Sequence, residues 1–161
     1  MSQRLDHSKI APNAAKGFYA ASAYLSQCGL PIVLIDLVYL RVSQINGCAY
    51  CIDMHSRDLL KHGVSVDKLV LVPAWREAGA LFDARESAAL AWTEVLARVD
   101  QTGAPDEDFA AVSSAFSERE VVDLTMAICL MSAFNRLGVG MRLVPQAAAR
   151  AQAATAQAAT A

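Results

Sequence analysis

The sequence predicts an all-α fold, a single-domain helical bundle over residues 1–145. Three observations predict it. Proline, glycine and capping residues punctuate the chain at helical intervals. No segment alternates apolar and polar side chains over the length of a strand. Hydrophobic residues make up 55% of the 161 and charged residues 19%, and much of the apolar excess is alanine, the strongest helix former. A chain of this length closes one sizeable core, and helices of ordinary length fill it with about six to eight elements.

The elements follow in order. Pro12 suits the first turn of a helix that continues to residue 27 and is closed by Gly29. Pro31 opens a second helix, residues 31–44, apolar on nearly every face, which predicts burial on all sides. Asn46-Gly47 is a turn. A third helix covers residues 49–61, with Lys61 and His62 at its negative end and Gly63 closing it. Ser65 caps a short helix to residue 72, and Pro73 begins another turn. Asp83 and Glu86 form a capping box before an alanine-rich helix over residues 88–99 that contains Trp92. After the loop at residues 102–105, Pro105 begins a short helix that ends near Phe116. Ser117 and Glu120 form a second capping box, which leads a long apolar helix over residues 121–137. The tail, residues 146–161, is nearly all Ala, Gln, Thr and Arg and lacks large apolar side chains, which predicts a frayed helix or disorder.

Composition narrows the function classes. The net charge is −2, and no basic stripe follows the chain, so nucleic acid is not the expected partner. The apolar run over residues 30–40 is interrupted by Asp36 and is too short to cross a bilayer. The N-terminus has no basic-then-apolar leader. These features predict a soluble, cytoplasmic protein without a membrane partner. Two helices apolar on all faces exceed what a small monomer covers, which predicts a subunit interface.

The chemistry concentrates in Cys48, Cys51 and His55. Four cysteines do not make a disulfide scaffold in a chain of this size. At about 100° per residue, Cys51 and His55 are neighbours on one helix face. Cys48 lies at or before the first turn of that helix, where free N–H groups favour an anion and lower a thiol pKa. One turn of helix also lets the two sulfurs approach bonding distance. His55, one turn beyond Cys51, is within reach of its proton; Cys48 then resolves a sulfenic acid on Cys51 by closing the Cys48–Cys51 disulfide. Two other readings stay open. Zinc could take Cys48, Cys51 and His55, with Asp36 or a partner chain as the fourth ligand that structural sites need; alternatively the pair is simply buried. Cys28 and Cys129 stand alone and are expected to be buried, His7 is expected at the surface, and His62 is expected to be a helix-end cation. Asp36 lies mid-helix among apolar residues, where an unpaired charge is costly. It forms an ion pair, with an arginine such as Arg136, or it shares a proton with His55 and poises it as a base.

The block Ser43-Gln44-Ile45-Asn46-Gly47-Cys48-Ala49-Tyr50-Cys51-Ile52-Asp53-Met54-His55 resembles the signature of the alkylhydroperoxidase D-like proteins of the carboxymuconolactone decarboxylase superfamily. Ala74-Trp75-Arg76-Glu77, the segment from Phe82 to Glu94, Phe116-Ser117-Glu118-Arg119-Glu120-Val121-Val122-Asp123-Leu124 and Asn135-Arg136 are similar to later segments of that family. The resemblance implies an all-α homo-oligomer, often a trimer or hexamer. It implies a thiol-dependent peroxidase in which Cys51 meets the peroxide and Cys48 resolves. It also implies a proton relay between His55 and a glutamate of the preceding helix. That place falls on Asp36, one methylene shorter, for which a bridging water is the expected route to His55. Catalytic residues are therefore Cys51, Cys48, His55 and Asp36, with no metal or organic cofactor. The partners are a hydroperoxide and an external dithiol, lipoyl-type in some members.

Two alternatives use the same residues: a disulfide oxidoreductase without significant peroxidase activity, and a redox-sensing helical oligomer. Decarboxylation follows only from the superfamily name, and its branch does not depend on a cysteine pair. Asn135 and Arg136 are candidates for the wall above Cys51 or simply a polar helix end.

Overall fold

The computed structural model describes residues 2–158. Among them there is no strand. Seven helices have ten residues or more: α2 (Pro12–Leu25), α3 (Ile32–Asn46), α4 (Ala49–Lys61), α6 (Ala84–Ala97), α8 (Asp106–Ala115), α9 (Glu118–Met141) and α10 (Gln146–Ala158). Three short ones, α1 (His7–Ile10), α5 (Val66–Leu71) and α7 (Val99–Thr102), and 3-10 turns over Val72–Glu77 and Gly79–Leu81 complete the order. The all-α expectation holds. α1 and α7 are elements that the sequence reading did not anticipate.

The expected caps are present. Asp83 Oδ1 accepts from the Glu86 N–H at 2.8 Å while Glu86 Oε2 accepts from the Asp83 N–H at 2.9 Å, and Ser117 and Glu120 repeat the pattern before α9. Each such box satisfies two helix-end donors. The helix predicted to stop at residue 137 continues to Met141, through Gly138 and Gly140. Glycine costs a helix about 1 kcal/mol, and packing against neighbouring elements outweighs that here.

α3 is the central element and packs on α4, α6 and α9. Its all-round apolar character follows from two cores. Leu34, Ile35, Val38, Tyr39 and Val42 belong to one, shared with Leu124, Ala127 and Ile128 of α9. Leu37 and Leu40 belong to the other, with Leu59, Val72, Phe82 and Leu90. Glu94 of α6 ties α3 to the 3-10 turn: it accepts from Arg41 Nε at 2.8 Å and Trp75 Nε1 at 3.2 Å, and it pairs with Arg76.

The helical run Glu118–Ala158, which holds α9, is long and apolar enough by composition to cross a membrane. In the fold α9 instead lays Leu124, Ala127, Ile128 and Met131 into the core and buries Asp123 and Asn135. α9 also leaves Val122, Met126 and Cys129 exposed. Cys129 is thus not the buried cysteine that the apolar helix suggested, because it lies on the outward stripe; Cys28 is half-buried. In the tail, residues 146–158 form α10, which rests on α4 through the Ala147 N–H to Asp53 Oδ2 bond at 3.0 Å and has no buried residue. The final residues of the predicted tail, 159–161, lie outside the described residues.

Candidate functional site

The site begins at the corner between α3 and α4. Gly47 takes the left-handed conformation at φ 67°, which glycine adopts without a Cβ penalty. The Gly47 N–H bonds to Gln44 O at 3.3 Å and the Cys48 N–H to Ser43 O at 3.0 Å, the paired pattern of a Schellman stop. Cys48 therefore leaves α3 and at once becomes the N-cap of α4. No side-chain oxygen caps α4. The Cys48 sulfur occupies that position and faces the N–H groups of Tyr50 and Cys51.

The two sulfurs lie 2.9 Å apart, both as free thiols, and both residues are buried. Asn135 of α9 completes their surroundings. Its amide is oriented by Asn46, which donates to Oδ1 at 3.1 Å, and its own Nδ2 donates to Ser43 Oγ at 3.0 Å. Gly138, one turn further, makes room for the pair: a Cβ there would lie 2.8 Å from Cys48 Sγ.

This environment separates the two thiols. A hydrogen bond from Cys51 pulls the Cys48 thiol down to about 6 against the cost of burial, aided by the N–H groups of Cys51 and Tyr50 and by the Asn135 amide. Donating that hydrogen bond, together with burial and the adjacent charge, pushes Cys51 up. The pair thus holds one proton between two sulfurs, and the lower value belongs to the pair. Alkylation of Cys48 and Cys51 in the reduced protein by iodoacetamide, read at those two residues so that exposed Cys129 and half-buried Cys28 do not contribute, should therefore rise as pH rises through about 6 and level off above it. A rise that begins only near the ordinary thiol value would show that the shared proton is absent.

Access favours the other sulfur. A cavity of about 440 Å³ is lined by Cys51 and His55, but not by Cys48. Its walls are mostly apolar and aromatic, with Tyr39, Tyr50, Met54, Met131, Phe134 and Leu137 among them. Asn135 lies behind the sulfurs and does not line it. Arg136 is exposed and donates to Ser132 O, so it neither lines the cavity nor meets Asp36.

Asp36 meets His55 instead. Its Oδ1 is 3.1 Å from His55 Nδ1, and both residues are buried. The anticipated bridging water is not needed: α3 and α4 pack closely enough for the shorter side chain to reach directly. The Tyr39 ring, one turn along α3, packs against the His55 ring with centroids 5.0 Å apart. The other imidazole nitrogen, Nε2, is buried without a hydrogen-bond partner. His62 stands at the C-cap of α4, the helix end where it was expected. Its Nε2 also lies 3.8 Å from Asp36 Oδ2.

His7 is a residue that sequence reasoning assigned to the surface. The Arg4 N–H bonds to Met141 O at 2.9 Å, and Arg4 Nη1 to Gly140 O at 3.0 Å, so the N-terminal segment lies across the end of α9. Asp6 then caps α1, accepting from the Ser8 and Lys9 N–H groups. His7 consequently lines the Cys51 cavity, half-buried, with Nδ1 shielded from water. The Asp6 cap was the available signal in the sequence. Among the described residues no group of three or more His, Cys, Asp and Glu side chains is arranged to hold a metal ion.

Comparison with known proteins places this arrangement. The model of the carboxymuconolactone decarboxylase family matches residues 12–95. The uncharacterized protein YdfG of Bacillus subtilis is 33% identical over 141 residues, covering 88% of this chain and 95% of that one. The crystal structure of ATU0492 from Agrobacterium tumefaciens, a protein of unknown function provisionally described as the antioxidant defence protein AhpD, is similar with a TM-score of 0.86 and 35% identity, over 89% of this chain and 98% of that one. The debrominase Bmp8 shares the fold at a TM-score of 0.74 and 22% identity, over 89% and 76% of the two chains.

Proposed function

Since this chain belongs to the carboxymuconolactone decarboxylase family, as an AhpD-like member, we propose that it is a thiol-dependent peroxidase cycling a Cys48–Cys51 dithiol and disulfide. One observation carries this reading: two thiols lie 2.9 Å apart in a hydrogen bond, and one of them, Cys51, opens on a cavity beside a histidine oriented by a buried carboxylate. The shared proton moves to Cys48, and the Cys51 thiolate attacks the outer peroxide oxygen. The O–O bond breaks and leaves Cys51 as sulfenic acid. His55 Nε2, unpartnered in the resting site, supplies the proton to the departing alkoxide, as general acids do. The Cys48 sulfur then displaces hydroxide, which leaves as water, and closes the disulfide. An external dithiol of lipoyl type reopens it by exchange.

The buried position of both sulfurs favours a small organic hydroperoxide over a protein disulfide as oxidant. A disulfide oxidoreductase without peroxide chemistry would use the same pair, and so would a redox-sensing oligomer. The reading carries with it a homo-oligomer in a reducing cytoplasm; the exposed stripe of Val122 and Met126 on α9 supports the assembly. Related folds host other chemistry, as the debrominase illustrates, so turnover has to be measured. The purified protein should consume cumene hydroperoxide continuously with dihydrolipoamide as donor. Disulfide exchange with the donor and no peroxide loss would favour the oxidoreductase instead.

Asp36 gives a sharper test of the relay. Asp36→Asn should lower kcat/KM by about 10²-fold, the usual worth of a positioned acid–base group, because the amide cannot take or hold the His55 proton. Asp36→Glu should bring no gain, since reach is already sufficient at 3.1 Å and a longer side chain must fit a buried site. A faster Asp36→Glu enzyme would show that the direct contact is not the working geometry.

A further inference from the structure

We propose that His62 is the solvent end of a proton relay that runs through Asp36 to His55 and serves the Cys51 site from behind; the proposal rests on the peroxidase reading above. Asp36 offers one carboxylate oxygen to each imidazole: Oδ1 is hydrogen-bonded to His55 Nδ1 at 3.1 Å, and Oδ2 is 3.8 Å from His62 Nε2, an ion-pair distance that a small turn of the exposed His62 ring shortens to a hydrogen bond. The two histidines differ in access. His55 is buried with Nε2 unpartnered on a ring that lines the cavity, whereas the His62 side chain is 41% exposed. Of the charged neighbours on α4, Lys61 and Asp58 pair with each other at 2.7 Å. Asp36, from α3, is the charge that His62 faces. The three groups therefore link water to the cavity wall through Asp36 and His62, neither of which lines the cavity.

The proton balance of the reaction calls for such a path. A resting pair with one proton on two sulfurs follows from their 2.9 Å hydrogen bond and the lowered Cys48 thiol. Oxidation by ROOH converts that pair to the disulfide, one water and the alkoxide RO⁻. The alkoxide needs one proton from outside to leave as the alcohol. Re-reduction by a dithiol restores the one-proton pair and releases one proton. Each turnover thus takes up a proton and later expels it, while substrate or donor occupies the approach to Cys51. A neutral imidazole relays both steps. During oxidation the transfers are concerted: His55 gives its Nε2 proton to the alkoxide, its Nδ1 keeps the proton that lies in the hydrogen bond to Asp36 Oδ1, and His62 returns a proton to the carboxylate through Oδ2. During reduction every transfer reverses, and the first tautomer returns.

The test is chemical rescue in the full-length protein, with cumene hydroperoxide and dihydrolipoamide. His62→Ala should lower kcat about tenfold or more, and free imidazole in the buffer should restore it. His62→Gln, which fills the space, should be slow and not rescued. An unchanged kcat in His62→Ala, or a loss that imidazole does not repair, would overturn the relay and leave a structural ion pair. A second measurement needs no peroxide. With the cavity filled by the unreactive cumyl alcohol, a pH jump is followed by the ultraviolet absorbance of the thiolate. His62→Gln should slow that signal severalfold, and an unaltered rate overturns the proposal. Failure of the peroxidase reading is distinct, because it appears as a wild-type protein that consumes no peroxide.

Discussion

Cys51→Ser is expected to abolish peroxide consumption, by about 10³-fold or more, whereas Cys48→Ser is expected to react once and stop. The contrast follows from the separation of acidity and access in the pair. The anion is best stabilised on Cys48, at the helix N-cap, but Cys51 is the sulfur that lines the cavity. A proton shared across 2.9 Å reconciles the two, since it can sit on Cys48 at the moment when Cys51 attacks. In Cys48→Ser the hydroxyl is a good helix cap, so α4 should form normally. The Cys51 sulfenic acid should then accumulate to about one equivalent per chain, the stoichiometry of an unresolved sulfenate, trappable with dimedone. In Cys51→Ser no sulfenate should form at the normal rate. The reverse pattern, with sulfenate in Cys51→Ser and none in Cys48→Ser, would assign peroxide attack to the N-cap cysteine and sink the proposed order of events.

Gly138→Ala is expected to destabilise the protein by about 1–3 kcal/mol, the range for overpacking a filled core, and to slow formation of the disulfide. Helix propensity alone predicts the opposite sign, because alanine in place of a mid-helix glycine favours a helix by about 1 kcal/mol. The reversal comes from tertiary packing. A Cβ at position 138 would stand 2.8 Å from Cys48 Sγ and 3.8 Å from Cys51 Sγ. The short Cys48 side chain has no free end to swing aside, and its residue is 1% exposed. Either α9 retreats from the α3–α4 corner or the sulfur leaves its place over the α4 N-terminus. Gly140 is the control: a Cβ there meets nothing within 4 Å, so Gly140→Ala should be neutral or stabilising. Chemical denaturation of the three reduced proteins, with thiol titration after one equivalent of peroxide, reads both effects. Equal behaviour of the two variants would mean that α9 does not hold the sulfurs in register.

Much of this protein was legible locally. The capping boxes at Asp83 and Ser117, the turn at Gly47 and the helix start beside Cys48 follow from hydrogen bonds between residues three to five apart, so the sequence alone determined them. The grouping of Cys48 and Cys51 at the head of one helix follows from the same short-range geometry. The family resemblance drew on these same segments, and the all-α fold it implied is the one observed.

What only the tertiary structure decided concerns contacts between distant segments. Asp36 could have met Arg136 or His55, and the packing of α3 against α4 selects His55 and brings His62 to the other oxygen. Asn135 lies 89 positions from Asn46 along the chain yet holds its amide beside the sulfurs. His7 reaches the cavity because Arg4 fastens the N-terminal segment to the end of α9, and Cys129 faces outward because α9 turns another stripe to the core. The physical reason is range. Caps and turns are settled by bonds within a few residues, but the state of a buried charge or thiol depends on which remote side chains replace the water around it, and only the packed chain brings them together.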